Sequence, residues 1–181
     1  MQEFELLSLS HFLGFCICLA AIVFIPKLIQ AKPGLENFSK YLLIFLLVEN
    51  QIRSTYVETL IKGGNLLENL PLHLCDFSAI VIAVFLLTGF RPLFIFAYFW
   101  GIAGAGMSIL TPDSEFAFPH YEYFATMYGH SLILLAVVFS IVNLGQRPYL
   151  KDIPKLIFYS SILLAIMYGI NYILGANYWY L

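Results

Sequence analysis

The stretch "SAIVIAVFLLTGFRPLFIFAYFW", Ser78 to Trp100, carries a single charge, Arg91, in the middle of two apolar runs. Each run, extended to its polar flanks, approaches the roughly 20 residues that cross about 30 Å of hydrocarbon as a helix. The same unit recurs along the chain. Segments of this kind run from Leu6 to Ile29, Tyr41 to Ile61, Leu72 to Phe90, Pro92 to Thr111, Tyr121 to Val142 and Ile153 to Leu174. Lipid cannot satisfy free backbone N–H and C=O groups, and six long spans do not make a barrel, so the spans are expected to be helices. The expected fold is therefore all-α: a polytopic membrane bundle of six transmembrane helices, with residues 1–181 forming a single transmembrane domain.

Composition supports this reading. Apolar residues make up 61% of the 181, aromatic residues 17% and charged residues only 11%, with a mean hydropathy of +0.85. An ordinary soluble domain carries about 25% charged residues. A net charge of -2 offers no electrostatic footprint for nucleic acid. The opening "MQEFELLSLSHF" is acidic where a signal peptide is basic, so the first apolar segment is expected to be retained. Lys27, Lys32, Lys40, Arg91, Arg147, Lys151 and Lys155 account for seven of nine basic residues and fall on the first, third and fifth connections. The positive-inside rule then places those connections in the cytoplasm and both termini outside. The opposite connections are acidic, as in "TPDSEFAFPHYEY" (Thr111 to Tyr123).

The basic residues also give each intramembrane polar group a depth. Cys75 lies sixteen residues before Arg91, His130 seventeen before Arg147, Asn171 sixteen after Lys155, His11 sixteen before Lys27, and Tyr56 sixteen after Lys40. In straight helices these positions fall in one layer about 24 to 26 Å above the inner interface. Glu49 and Arg53 sit somewhat deeper, four residues apart and placed to pair. Polar groups at membrane depth face a bundle interior or a wet cavity, so a shared layer predicts one pocket open to the outer leaflet.

The simplest roles for these residues are structural. Cys16 and Cys18 read as small hydrophobes, and Glu49 with Arg53 as an ion pair. Asp113 after Pro112 reads as a helix-ending turn, and His120 after Pro119 as an interfacial residue. The spacing of Gly101 with Ala105 and Gly104 with Ser108 reads as close helix packing. Against this stands the chemistry of a Cys and a His at equal depth, where an imidazole takes the thiol proton and the thiolate attacks an acyl carbonyl. His73 lies about 200° from Cys75 on a helix and is a poor base for it, whereas His130 on another helix suits the task. His73 and Asp76 share a face and are expected to shape the pocket mouth.

The blocks "LPLHLCDFSAI" (Leu70 to Ile80), "TPD" with "FPHYEYFATMYGH" (ending at His130) and "INYILGANYWYL" (Ile170 to Leu181) resemble, in order, the signature blocks of the YwaF-like integral membrane family. These are bacterial proteins related to a vertebrate transmembrane phospholipid acyltransferase and, more distantly, to the androgen-induced membrane hydrolases. The resemblance implies an acyl-Cys intermediate on a phospholipid, with Cys75 as nucleophile and His130 as base, in a bacterial plasma membrane. The resulting expectation is a membrane lipid acyltransferase or acyl-ester hydrolase acting without a cofactor on phospholipid or fatty-acyl ester. Asn171 or Tyr56 would orient the base or donate to the oxyanion. Two alternatives are weighed beside it. One is a metal-dependent hydrolase drawing ligands from His11, His73, His120, His130, Asp76 and Asp113, although no H-x-x-x-H or H-E-x-x-H pairing occurs. The other is a small transporter or lipid-binding membrane protein using the layer of Glu49, Arg53 and His130.

Overall fold

The computed structural model describes residues 3–181. Six helices follow one another: α1 (Leu9–Gln30), α2 (Glu36–Tyr56, continued by a π turn over Val57–Ile61), α3 (Leu74–Thr88), α4 (Arg91–Leu110), α5 (Tyr121–Val142) and α6 (Ile153–Leu174). Each occupies one of the segments anticipated from sequence, and no strand occurs among the described residues beyond an isolated bridge between Glu3 and Phe116. This is an all-α membrane bundle. Four helices, α1, α4, α5 and α6, are long and apolar enough to cross a membrane by length and composition. α3 is apolar but has 15 residues, about 22 Å of helix. α2 carries Glu36, Lys40, Glu49 and Arg53.

Local chemistry explains the boundaries. α1 starts at Leu9, after the turn at Leu7, because the Ser8 hydroxyl accepts the His11 N–H. α3 starts at Leu74 because His73 has extended backbone and the Asp76 carboxylate, one turn in, accepts the His73 N–H at 3.0 Å. It stops at Gly89, whose φ of 70° is left-handed and open to a residue without Cβ. Arg91 and Pro92 then begin α4 at once, with Pro in the first turn where its missing N–H costs nothing.

The core lies among α2, α3, α4 and α5. Ala79, Ala83, Ala97, Ala105 and Ala136 let the backbones approach, and Leu47, Ile82, Phe85, Phe94, Val137 and Phe139 fill the space between. α1 packs along α5, where Ile22 meets Tyr123 and Met127. Hydroxyls within the spans bond back to their own helices, as Ser78 does to Leu74 O and Ser140 to Ala136 O. α6 stands farther from its neighbours than any other helix. It is held by Arg91 on Asp152 at one end, by a Trp100 to Ser160 hydrogen bond of 3.2 Å, and by the 178–180 turn at the other end.

Candidate active site

Two adjoining cavities of about 420 and 770 Å³ open at the end of the bundle opposite the basic cluster. They share the walls formed by Gln51, Ser54, Cys75, Asp76, Asp113 and His130. Cys75 is half-buried, one residue into α3. Facing it, α4 widens into a π turn over Gly101–Ala105, a deformation that recurs at functional sites. A Cβ on Gly104 would stand 3.3 Å from Cys75 Sγ. The Ser108 hydroxyl, one turn further, donates to Gly104 O and lies against the thiol.

His130 sits in the middle of α5. Its Nδ1 lies 2.7 Å from Thr126 O. A carbonyl oxygen only accepts, so Nδ1 carries a proton, and in the neutral form of the ring the lone pair is on Nε2. The backbone of α5 thus does what a carboxylate or amide does in other His-containing sites: it fixes the tautomer with a basic nitrogen left over.

Charged groups of α2 tie its C-terminal half to α5. Arg53 donates from Nε to Glu49 at 3.1 Å, from Nη2 to Asn50 Oδ1 at 2.6 Å, and from Nη1 to the Tyr121 hydroxyl. Gly129 makes this approach possible, since a Cβ there would reach Asn50 Nδ2 at 2.9 Å. In the loop after α2, Lys62 bridges Glu58 at 3.0 Å and Glu122 at 2.6 Å. Burial pulls this ammonium down, but the two carboxylates outweigh it and hold Lys62 above the ordinary lysine value.

Residues 4–181 match the TMEM164 family. The chain belongs to that family. A protein of Treponema pallidum (strain Nichols), described as uncharacterized, is 31% identical over 121 residues, which cover 66% of this chain and 50% of the relative. The chain thus spans about half the length of that relative. No solved structure matches.

Within this TMEM164-family chain the layer expected from helix depth divides. Cys75, His130, Asp76, Asp113, Arg53 and His73 line one or both cavities. His73 does so because it precedes the helix, so the 200° separation from Cys75 does not apply; its ring packs edge-on against Tyr178 at 5.0 Å. His11, 2% exposed, bonds Leu7 N and Ile109 O and braces α1 against the end of α4. His120 caps α5 by accepting the Glu122 N–H at Nδ1. Glu49 serves as the partner of Arg53.

Two expected helpers of the base are placed elsewhere. The Asn171 amide is used at both ends, accepting from Tyr178 N at 2.8 Å and donating to Tyr178 O at 2.7 Å, so it pins the C-terminal turn. Tyr56 is 54% exposed and lines neither cavity. Among the described residues no three His, Cys, Asp or Glu side chains converge as a metal ligand set. Sequence reasoning missed Gly104, Ser108, the Thr126 carbonyl and Trp179, whose indole donates to Leu72 O at 2.7 Å while lining the larger cavity. Four-residue spacing signalled the first two, but only as packing.

Proposed function

We propose that this TMEM164-family protein is an integral membrane acyltransferase or acyl-ester hydrolase that works on lipid through an acyl-Cys intermediate. The observation that carries the reading is the 2.7 Å contact between His130 Nδ1 and Thr126 O. With Nδ1 bound to Thr126 O, Nε2 is the acceptor, and it belongs to a ring lining the same cavities as the Cys75 thiol. The resemblance of "LHLCDF" and "MYGH" to the YwaF-like blocks supports the same pair. Six crossings, with both termini outside, would open the cavities toward the outer leaflet.

In the first half-reaction His130 Nε2 takes the Cys75 proton and Sγ attacks the acyl carbonyl. A C–S bond forms, the ester C–O bond breaks, and the leaving oxygen takes the proton from His130 and departs as an alcohol, which frees Nε2. In the second, the hydroxyl of an acceptor lipid, or water, gives its proton to Nε2 and attacks the thioester. A new C–O bond forms, the C–S bond breaks, and His130 returns the proton to the Cys75 sulfur. Arg53 and Lys62 remain with their carboxylates and keep the smaller cavity's wall in shape. Asn171 is left out of the oxyanion site, since its amide is engaged at both ends with the Tyr178 backbone.

The test is transfer from a phospholipid with a labelled acyl chain by the full chain in proteoliposomes. Cys75→Ala should abolish both turnover and a hydroxylamine-sensitive label on the protein. His130→Gln should lower turnover by about 10²- to 10⁴-fold. Undiminished turnover in Cys75→Ala would overturn the reading.

A further inference from the structure

Another cavity, of about 530 Å³, lies between the first turns of α4 and α6, at the basic end of the bundle and away from Cys75. Its walls are hydrocarbon: Leu93, Ile95, Phe96, Leu156, Ile162 and Leu163. It persists because α4 and α6 barely meet here. Phe96 meets Tyr159 at its ring edge, 6.3 Å between centroids, and beyond it Trp100 hydrogen-bonds Ser160. Apolar walls of this kind favour hydrocarbon over water.

The mouth of the cleft is charged. Arg91 places its two terminal nitrogens on the Asp152 carboxylate at 3.0 and 2.7 Å, and shares one with the Arg147 carbonyl at 2.9 Å. Arg91 and Asp152 cancel. Lys155, also at the mouth, is exposed and has no carboxylate within ion-pair distance among the described residues. One uncompensated positive charge therefore stands over an apolar slot. Basic pockets between helices at this end of a membrane protein attract acidic head groups. We infer that the α4–α6 cleft binds one acidic phospholipid, with its phosphate at Lys155 and an acyl chain between the helices. A zwitterionic lipid matches the slot but brings its own ammonium to Lys155. This site is separate from the Cys75 cavity and does not depend on the reaction proposed there.

The full chain in nanodiscs of equal phosphatidylglycerol and phosphatidylcholine, released for native mass spectrometry, tests this. The wild type should keep phosphatidylglycerol over phosphatidylcholine by about fivefold, roughly what one basic residue contributes near a membrane surface. Lys155→Gln should erase the preference while still binding lipid. Leu163→Trp, which fills the slot from α6, should reduce retention of both lipids. Equal retention of the two by the wild type, an undiminished preference in Lys155→Gln, or full retention in Leu163→Trp would each overturn the inference.

Discussion

A methyl group at position 104 would press on the Cys75 sulfur from 3.3 Å, closer than most real Cβ contacts. Ala at the same place favours the helical backbone by about 1 kcal/mol over Gly. The two effects offset each other in stability, but only the crowding reaches the thiol. Gly104→Ala should leave the melting temperature unchanged or slightly raised, yet slow alkylation of Cys75 by a membrane-permeant maleimide by about tenfold, the rate equivalent of a modest overpacking cost. Cys16 is exposed and Cys18 partly so, hence the measurement belongs in a background with both replaced by Ala; an alkylation rate equal to the parent's would remove Gly104 from the site. Asn171, 6% exposed, gives the opposite pattern. Its truncation to Ala strands the Tyr178 N–H and C=O, and the loss should be about 2 kcal/mol in denaturant-induced unfolding. Had Asn171 served the oxyanion, the defect would lie in turnover with stability preserved.

At the scale of the helix, caps decide where chemistry-bearing residues end up. His120 accepts the Glu122 N–H, a task any short acceptor performs. His120→Ala should therefore cost about 1 kcal/mol and His120→Asn almost nothing, with acyl transfer by the Asn variant close to wild type; a large transfer defect in His120→Asn would return this residue to the chemistry. The same logic shows what the sequence revealed. Hydropathy and spacing marked the six helical segments, four of them long and apolar enough to cross a membrane, because burial of apolar surface over a fixed membrane thickness leaves a one-dimensional signature. Depth counted from basic residues brought Cys75 and His130 to one layer, and both line the same cavities. Depth says nothing about facing. Tyr56 points outward and His11 toward Ile109, although both share the layer. Nor does periodicity announce a π turn. The one in α4 spans "GIAGA", which reads equally well as a packing stripe, so the residue opposite the thiol was legible as small but not as part of the site.

For the whole molecule, the position of α6 matters most. Four helices share a core and α1 packs along α5, whereas α6 is attached at a few points and leaves clefts beside it. Its C-terminal end is tied through Tyr178, which is 1% exposed. The Tyr178 hydroxyl donates to Leu67 O at 2.7 Å and accepts from Leu70 N at 3.1 Å, while its backbone is held by Asn171. One side chain thus couples α6 to the 65–73 segment that leads into Cys75 and walls the larger cavity. Tyr178→Phe keeps the ring against His73 and removes only the hydroxyl, leaving a carbonyl and an amide without their partner. Local opening then costs less for the tied segment and is unaltered for the core. Hydrogen exchange on the reconstituted protein should rise about tenfold across residues 65–73 and 175–180, the equivalent of roughly one to two lost hydrogen bonds, with α3 and α5 amides below the cavity unchanged. Faster exchange spread evenly through α2 to α5 would mean instead that Tyr178 supports the whole bundle, and that α6 is part of one cooperative unit with the core.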